Sequence, residues 1–198
     1  MIHRTKCSCG ADGGCLGRKG KHIDAVIQDS EFAGSKSASS GGAISVNKLA
    51  HCTFVDSNFF DNQAYGLGGG ALYIYDAIVT FQSCEYRRNI AGRGAGGAVL
   101  WDGTALDTPT VEVPNSFTCD LENNAIYGPC TASKYQSLHI EGWPSNERPA
   151  FAGLPIRIKV SKRDIYDQTV RTDSVSLLQA LTVNVSVSVS GIAVNRLI

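Results

Sequence analysis

The chain has 198 residues with 18 basic and 18 acidic side chains, so its formal net charge is zero. A balanced charge gives no electrostatic reason to expect nucleic acid or an anionic membrane surface as a partner. No apolar run approaches the length of a membrane-spanning helix. The 21 glycines against one methionine favour turn-rich β structure over a helical bundle.

Residues 1–22 are rich in glycine, lysine and cysteine and show no periodicity, so they are interpreted as a leader. They lack the apolar core of a signal peptide, which fits either a cytosolic protein or a piece of a longer chain. His3, Cys7, Cys9, Cys15 and His22 have the donor types of a zinc site. Their spacing contains no paired Cys-x-x-Cys knuckle, so we predict disulfides or free thiols there, with no metal and no cofactor.

Seven cysteines are many for a cytosolic chain of this length, and they favour an oxidising, extracellular or cell-surface setting. Their odd number leaves at least one thiol unpaired if the others form disulfides. Cys119 and Cys130 lie eleven residues apart around a turn, and we predict a local disulfide between them.

Residues 23–130 contain a repeat with a period of about 27 residues, which is typical of a solenoid. A Ser-x-aromatic segment recurs, with cysteine replacing serine in the third copy. Downstream of each aromatic, a glycine pair precedes alanine and an apolar residue. The recurring aromatic residues are Phe32, Phe59 and Tyr86, and the recurring glycines are Gly41, Gly42, Gly69, Gly70, Gly96 and Gly97.

Each unit has three short apolar-patterned segments and no helical stretch, which predicts an all-β fold built from three to four coils of a parallel β-helix. The aromatics are predicted to stack inside, and the glycine pairs to serve sharp turns or close backbone approach. Asn62, Asn89 and, in a degenerate fourth unit, Asn124 follow at the bend, where stacked amides can satisfy leftover backbone groups. An insertion of about eight residues displaces the fourth unit and predicts a protruding loop near residues 101–114.

Residues 131–198 differ in texture, with short apolar strands separated by prolines. The segment 164–168 follows a strand and resembles a turn of an immunoglobulin-like sandwich. Such a sandwich needs roughly 100 residues, and the segment 131–198 is shorter than that. The sequence therefore predicts a partial Ig-like β-sandwich module.

The glycine-pair segments combined with Phe59–Asn62 and Tyr86–Asn89 resemble the repeat of chlamydial polymorphic outer membrane proteins. Similar repeats occur in large surface or secreted proteins of protists and algae. The resemblance covers roughly residues 25–126. It implies a right-handed parallel β-helix and a surface-exposed role in adhesion or structure.

The functional hypothesis is a non-enzymatic cell-surface or extracellular β-helix scaffold of the adhesion type, expected to be a fragment of a larger chain. Surface glycans or proteins are the expected partners, through Tyr73, Tyr75 or Trp101. The alternative is a polysaccharide-active lyase- or epimerase-like enzyme. No catalytic residue is predicted, because the acidic side chains do not recur at matching positions of adjacent units. A truncated product without independent function is a third hypothesis.

Overall fold

The computed structural model describes residues 16–17, 23–47, 50–103, 117–119, 122–141, 159–172, 184–189 and 192–197. Within these ranges the regular secondary structure is entirely β, so the predicted all-β class is confirmed. No helix in this part of the chain is long and apolar enough to cross a membrane.

The described strands are short, and each has two to six residues. In chain order they are β1 Leu16–Gly17, β2 Ile23–Gln28, β3 Glu31–Ala33, β4 Lys36–Ser37, β5 Ile44–Asn47, β6 Ala50–Val55, β7 Asn58–Phe60, β8 Gln63–Ala64, β9 Leu72–Tyr75, β10 Ile78–Gln82, β11 Cys84–Arg87, β12 Ile90–Ala91, β13 Val99–Asp102, β14 Phe117–Cys119, β15 Thr131–Ser133, β16 Ser137–Glu141, β17 Lys159–Arg163, β18 Asn184–Val189 and β19 Ile192–Leu197.

Strands that lie one repeat apart in sequence pair side by side in four parallel sheets. The sheet orders are β1-β5-β9-β13-β15, β10-β6-β2, β14-β11-β7-β3 and β12-β8-β4. Equivalent residues of successive units stand opposite each other, as Phe59 does with both Phe32 and Tyr86. The sequence period therefore determines the strand register.

Stacked aromatic rings fill the space between these sheets. The rings of Phe32 and Phe59 lie 5.0 Å apart between centroids and 10° from parallel, and those of Phe59 and Tyr86 lie 4.7 Å apart at 2°. All three side chains are fully buried. A second stack of Phe54 on Phe81 meets the first edge-on, an arrangement that adds attraction beyond area burial.

The two roles expected of the glycine pairs belong to different members of each pair. Gly69 has a φ of +66°, a conformation that a residue with a Cβ adopts only with strain. At Gly70 a Cβ would lie 2.1 Å from the carbonyl oxygen of Gly97 in the next unit. The first glycine therefore turns the chain, and the second lets adjacent units approach.

The last repeat differs from the prediction at its start and end. Trp101 and Asp102 belong to β13 rather than to the predicted loop, most of which lies outside the described residues. Trp101 is buried in the core and stacks edge-on against Phe81, so its prediction as a surface residue was wrong. Ser133 of β15 pairs opposite Trp101, so the parallel arrangement continues past residue 130.

The remaining described strands form two separate antiparallel pairs, β16 with β17 and β18 with β19. They fall within the segment predicted as a partial Ig-like module, and the pairing among the described residues does not test the sandwich. Leu16–Gly17, within the predicted leader, pairs in parallel with β5.

Replacing Gly70 with alanine tests the close approach of adjacent units. We expect Gly70→Ala to lower the free energy of unfolding by at least about 2 kcal/mol, because backbone must move to admit the methyl group. Gly92→Ala is the control, since its added Cβ would meet nothing closer than 3.6 Å. Urea unfolding followed by circular dichroism measures both, and equal midpoints would contradict the assigned role of Gly70.

Candidate functional site

A ladder of side-chain amides runs through the bend that follows each aromatic. The Nδ2 group of Asn62 donates to the carbonyl of Phe32, and that of Asn89 to the carbonyl of Phe59, both at 2.9 Å. The Oδ1 of Asn89 accepts from the backbone N–H of Asn62 at 3.1 Å. Ser35 begins the ladder by donating its N–H to Asn62.

The fourth member of the ladder is Asn123, so the prediction of Asn124 was wrong. The Oδ1 of Asn123 accepts from the N–H of Asn89 at 2.8 Å, and its Nδ2 donates to the carbonyl of Tyr86. Asn124 is exposed and contributes backbone bonds. The step from Asn89 to Asn123 is 34 residues, against 27 for the preceding step, so the insertion shifted the apparent motif by one position.

The aromatic stack also continues into the fourth unit, but the ring there comes from a different position of the unit. Phe117 stacks on Tyr86 with centroids 4.4 Å apart, although Cys119 is the residue in register with Tyr86. Cys119 is bonded to Cys130 across a Cα–Cα distance of 5.9 Å, which confirms the predicted disulfide. The disulfide therefore fastens the fourth unit where the repeat motif is degenerate.

The other cysteines that the structure describes, Cys52 and Cys84, are free. Burial raises the pKa of both thiols. Cys84 occupies the position of Ser30 and Ser57 in earlier units, where a side chain caps nearby carbonyls. A raised pKa keeps both thiols protonated and poorly nucleophilic, so neither has the character of a catalytic cysteine.

A group of polar side chains lies on the outer face of the five-stranded sheet, at Tyr73, Tyr75, Asp102 and Lys134, which we call the tyrosine face. Asp102 is buried, its Oδ1 lies 2.5 Å from the Nζ of Lys134, and its Oδ2 accepts from the hydroxyl of Tyr73. Tyr75 is opposite Asp102 in register. The structure thus brings together Tyr73 and Tyr75, and it adds an ion pair.

The protonation of this group limits its chemistry. Burial, followed by the hydrogen bond to Asp102, raises the pKa of Tyr73 far above its ordinary value. Tyr73 therefore stays protonated and donates to the carboxylate, which does not suit a general base. Lys134 balances the charge of Asp102, as expected for a satisfied buried carboxylate.

Sequence reasoning missed Asp102 and Lys134. Asn47, Tyr75 and Asp102 occupy one row of the sheet at steps of 28 and 27 residues, so the repeat itself places Asp102 beside Tyr75. The ion pair with Lys134 joins residue types that do not recur in this row, so it leaves no periodic signal.

Exposed ion pairs lie elsewhere among the described residues. Arg88 donates two hydrogen bonds to Asp61, at 2.7 and 2.9 Å, and these lower the pKa of the Asp61 carboxyl. Arg87 pairs with Glu85 in the same region. No cluster of metal-ligating side chains occurs in the ranges that the structure describes, and the Cys/His group of residues 1–22 lies outside them.

Comparison with known proteins gives no match to a protein-family model, to a curated protein or to a solved structure.

Substitution of the adjacent asparagines tests the ladder directly. We expect Asn123→Ala to lower the free energy of unfolding by about 2–4 kcal/mol, because it leaves buried backbone groups of Tyr86 and Asn89 without partners. Asn124→Ala, one residue away and exposed, should change it by no more than about 0.5 kcal/mol. Chemical unfolding measures both, and a larger effect at Asn124 would contradict the corrected alignment.

Two tyrosine hydroxyls offer a matched comparison. The hydroxyl of Tyr86 is buried without a partner among the described residues, whereas that of Tyr73 binds the Asp102 carboxylate. We expect Tyr86→Phe to leave stability unchanged or raise it by about 1 kcal/mol, and Tyr73→Phe to lower it by about 1.5–3 kcal/mol. Thermal unfolding of both variants decides the point; a marked loss in Tyr86→Phe would indicate an unrecognised partner.

Proposed function

We propose that this protein is a non-enzymatic extracellular or cell-surface scaffold of the adhesion type, in which residues 23–133 form a short right-handed parallel β-helix. The observation that carries the proposal is that the recurrent residues are used in packing. The aromatics stack, the asparagines bond to neighbouring units, and the glycines allow close approach. A regular framework remains, and function falls to its non-recurrent surface.

The disulfide supports the extracellular part of the proposal. Cys119 and Cys130 are paired, and disulfides persist mainly in oxidising compartments. The resemblance to surface-protein repeats points to the same setting. The right-handed β-helix and the partial sandwich that follows it remain parts of the proposal.

The tyrosine face is the proposed binding surface, with surface glycans as the favoured partners and proteins as the second class. Tyrosine rings offer an apolar body for the faces of sugar rings and a polar tip for hydrogen bonds. Tyr73 and Tyr75 are both partly exposed, and Lys134 is 59% exposed beside them. Trp101 has no part in it because it is buried.

A polysaccharide-active enzyme is the second candidate, and the convergence of Tyr73, Asp102 and Lys134 is the observation in its favour. Lyases and epimerases acting on uronic acids need a base near the sugar proton and a cation near the carboxylate. The non-enzymatic hypothesis is favoured, because the raised pKa keeps Tyr73 from acting as a base and Lys134 is already paired with Asp102.

A glycan array and a uronate assay separate the two candidates. We expect the full chain to bind glycans, with Tyr75→Ala weakening binding about tenfold, or about 1.4 kcal/mol. Tyr65→Ala is the control, since Tyr65 is an exposed tyrosine outside the tyrosine face. Incubation with the same protein should leave polyuronates chemically unchanged, as measured by ultraviolet absorbance and by NMR.

Two results would contradict the proposal. Equal binding by wild type and Tyr75→Ala would remove the tyrosine face as the binding surface. Formation of unsaturated or epimerised uronate by wild type, and its loss in Asp102→Asn, would establish the enzyme instead.

A further inference from the structure

The strand β15 is the last in the five-stranded parallel sheet, and one of its edges faces no further strand among the described residues. On the side that faces β13, the backbone carbonyl of Cys130 accepts from the N–H of Val99, and the backbone N–H of Lys134 donates to the carbonyl of Trp101. Because backbone groups alternate in direction along a strand, those of Thr131 and Ser133 point away from β13. This outer edge would ordinarily be a template for another strand.

Three side chains occupy that edge. The N–H of Ser133 donates to Asp164 Oδ2 at 3.1 Å, and the carbonyl of Ser133 accepts from the hydroxyl of Tyr127 at 2.7 Å. The carbonyl of Thr131 accepts from Gln168 Nε2 at 2.8 Å. Side chains thus take the positions that a pairing strand would use.

Asp164 is held in place for this contact by its own turn. It is buried, and its Oδ1 accepts from the backbone N–H groups of Tyr166 and Gln168 at 2.9 and 2.8 Å. Its Oδ2 bonds Gln168 Nε2 as well as Ser133. The Ser133 hydroxyl oxygen accepts in turn from the N–H of Ile165. The carboxylate therefore has four donors, two from its turn and two at the strand edge.

Apolar packing holds the same segment against the sheet. Leu100, Ala132 and Tyr127 belong to a small buried cluster, and Val170 packs against it. The segment is also joined to the rest of the chain through the β16–β17 pair. The segment that contains Asp164, Gln168 and Val170 thus contacts both the outer edge of β15 and the face of the sheet.

We propose that residues 159–172 are the terminal cap of the parallel sheet and keep the outer edge of β15 from pairing with a second copy of this chain. The cap blocks growth by supplying one carboxylate and one amide where a strand would supply backbone groups. The inference does not depend on whether the chain binds glycans.

The proposal is tested with a double variant that combines Asp164→Asn and Gln168→Met. It removes the contacts at the strand edge and keeps the turn. Asp164→Asn retains an oxygen for the Tyr166 and Gln168 amides but turns a donor towards Ser133. Gln168→Met keeps the size of the side chain and loses its bond to Thr131. Asp167→Asn is the control, because it makes the same charge change at a side chain that is 83% exposed.

In the double variant we expect the amides of β15 to exchange hydrogen at least about tenfold faster than in wild type or the control. We also expect concentration-dependent dimers by sedimentation velocity where wild type stays monomeric. Unchanged exchange at Ser133, or faster exchange with a persistently monomeric variant, would overturn the proposal.

If the double variant does not fold, exchange in the wild-type protein decides. The cap requires the Ser133 amide to open together with those of Tyr166 and Gln168, which share Asp164 as acceptor. A Ser133 amide that exchanges as fast as an unprotected one, or independently of the other two, would overturn the proposal.

Discussion

The hydrogen bonds of the buried asparagine amides are the constraint on which the rest of this architecture depends. Each amide donates its NH₂ group to the carbonyl of the aromatic residue in the preceding unit, and its oxygen accepts from a backbone N–H of that unit. These bonds satisfy backbone groups that the bend leaves without a strand partner. They also fix register, because a shift of one residue would separate every amide from its carbonyl and turn the aromatics outward.

The sequence contained enough information to predict the class of fold and most of the interior. Phe32, Phe59 and Tyr86 recur at a constant step, and parallel pairing converts a constant step into a stack. Gly69 and Gly70 were predictable for the same reason, since a turn and a close approach must recur with each unit. The prediction needed no long-range information, because each contact joins equivalent positions.

The prediction failed where the contacts are not equivalent. The insertion before β14 shifted the phase of the repeat, and the adjacent Asn123 and Asn124 are distinguished only by the burial and the hydrogen bonds of Asn123 in the structure. Trp101 was predicted at the start of a loop and among the surface aromatics, yet it lies within β13 and is buried in the same cluster as Val99. Asp164 reaches a strand edge 31 residues away, a contact that no local pattern encodes.

The same distinction separates two kinds of side-chain contact in this molecule. The recurrent aromatic, asparagine and glycine residues pack and bond in the interior, whereas Asp102, Lys134 and the cap residues each occur once. Tyr73 stands between the two groups: it follows the repeat in position, but its hydroxyl is committed to a non-recurrent carboxylate. The contacts of Asp102 with Lys134 and of Asp164 with Ser133 therefore lie outside what the repeat predicts.

The equivalence of the middle units has a consequence for how such a chain changes length over generations. A duplicated stretch of 27 codons inserted between two units would bring its own aromatic, asparagine and glycine pair, each already matched to the neighbours on both sides. Extension beyond Ser133 has no such route, since the groups there are bound by Tyr127, Asp164 and Gln168. The architecture is therefore open to lengthening from within and closed to it at this end.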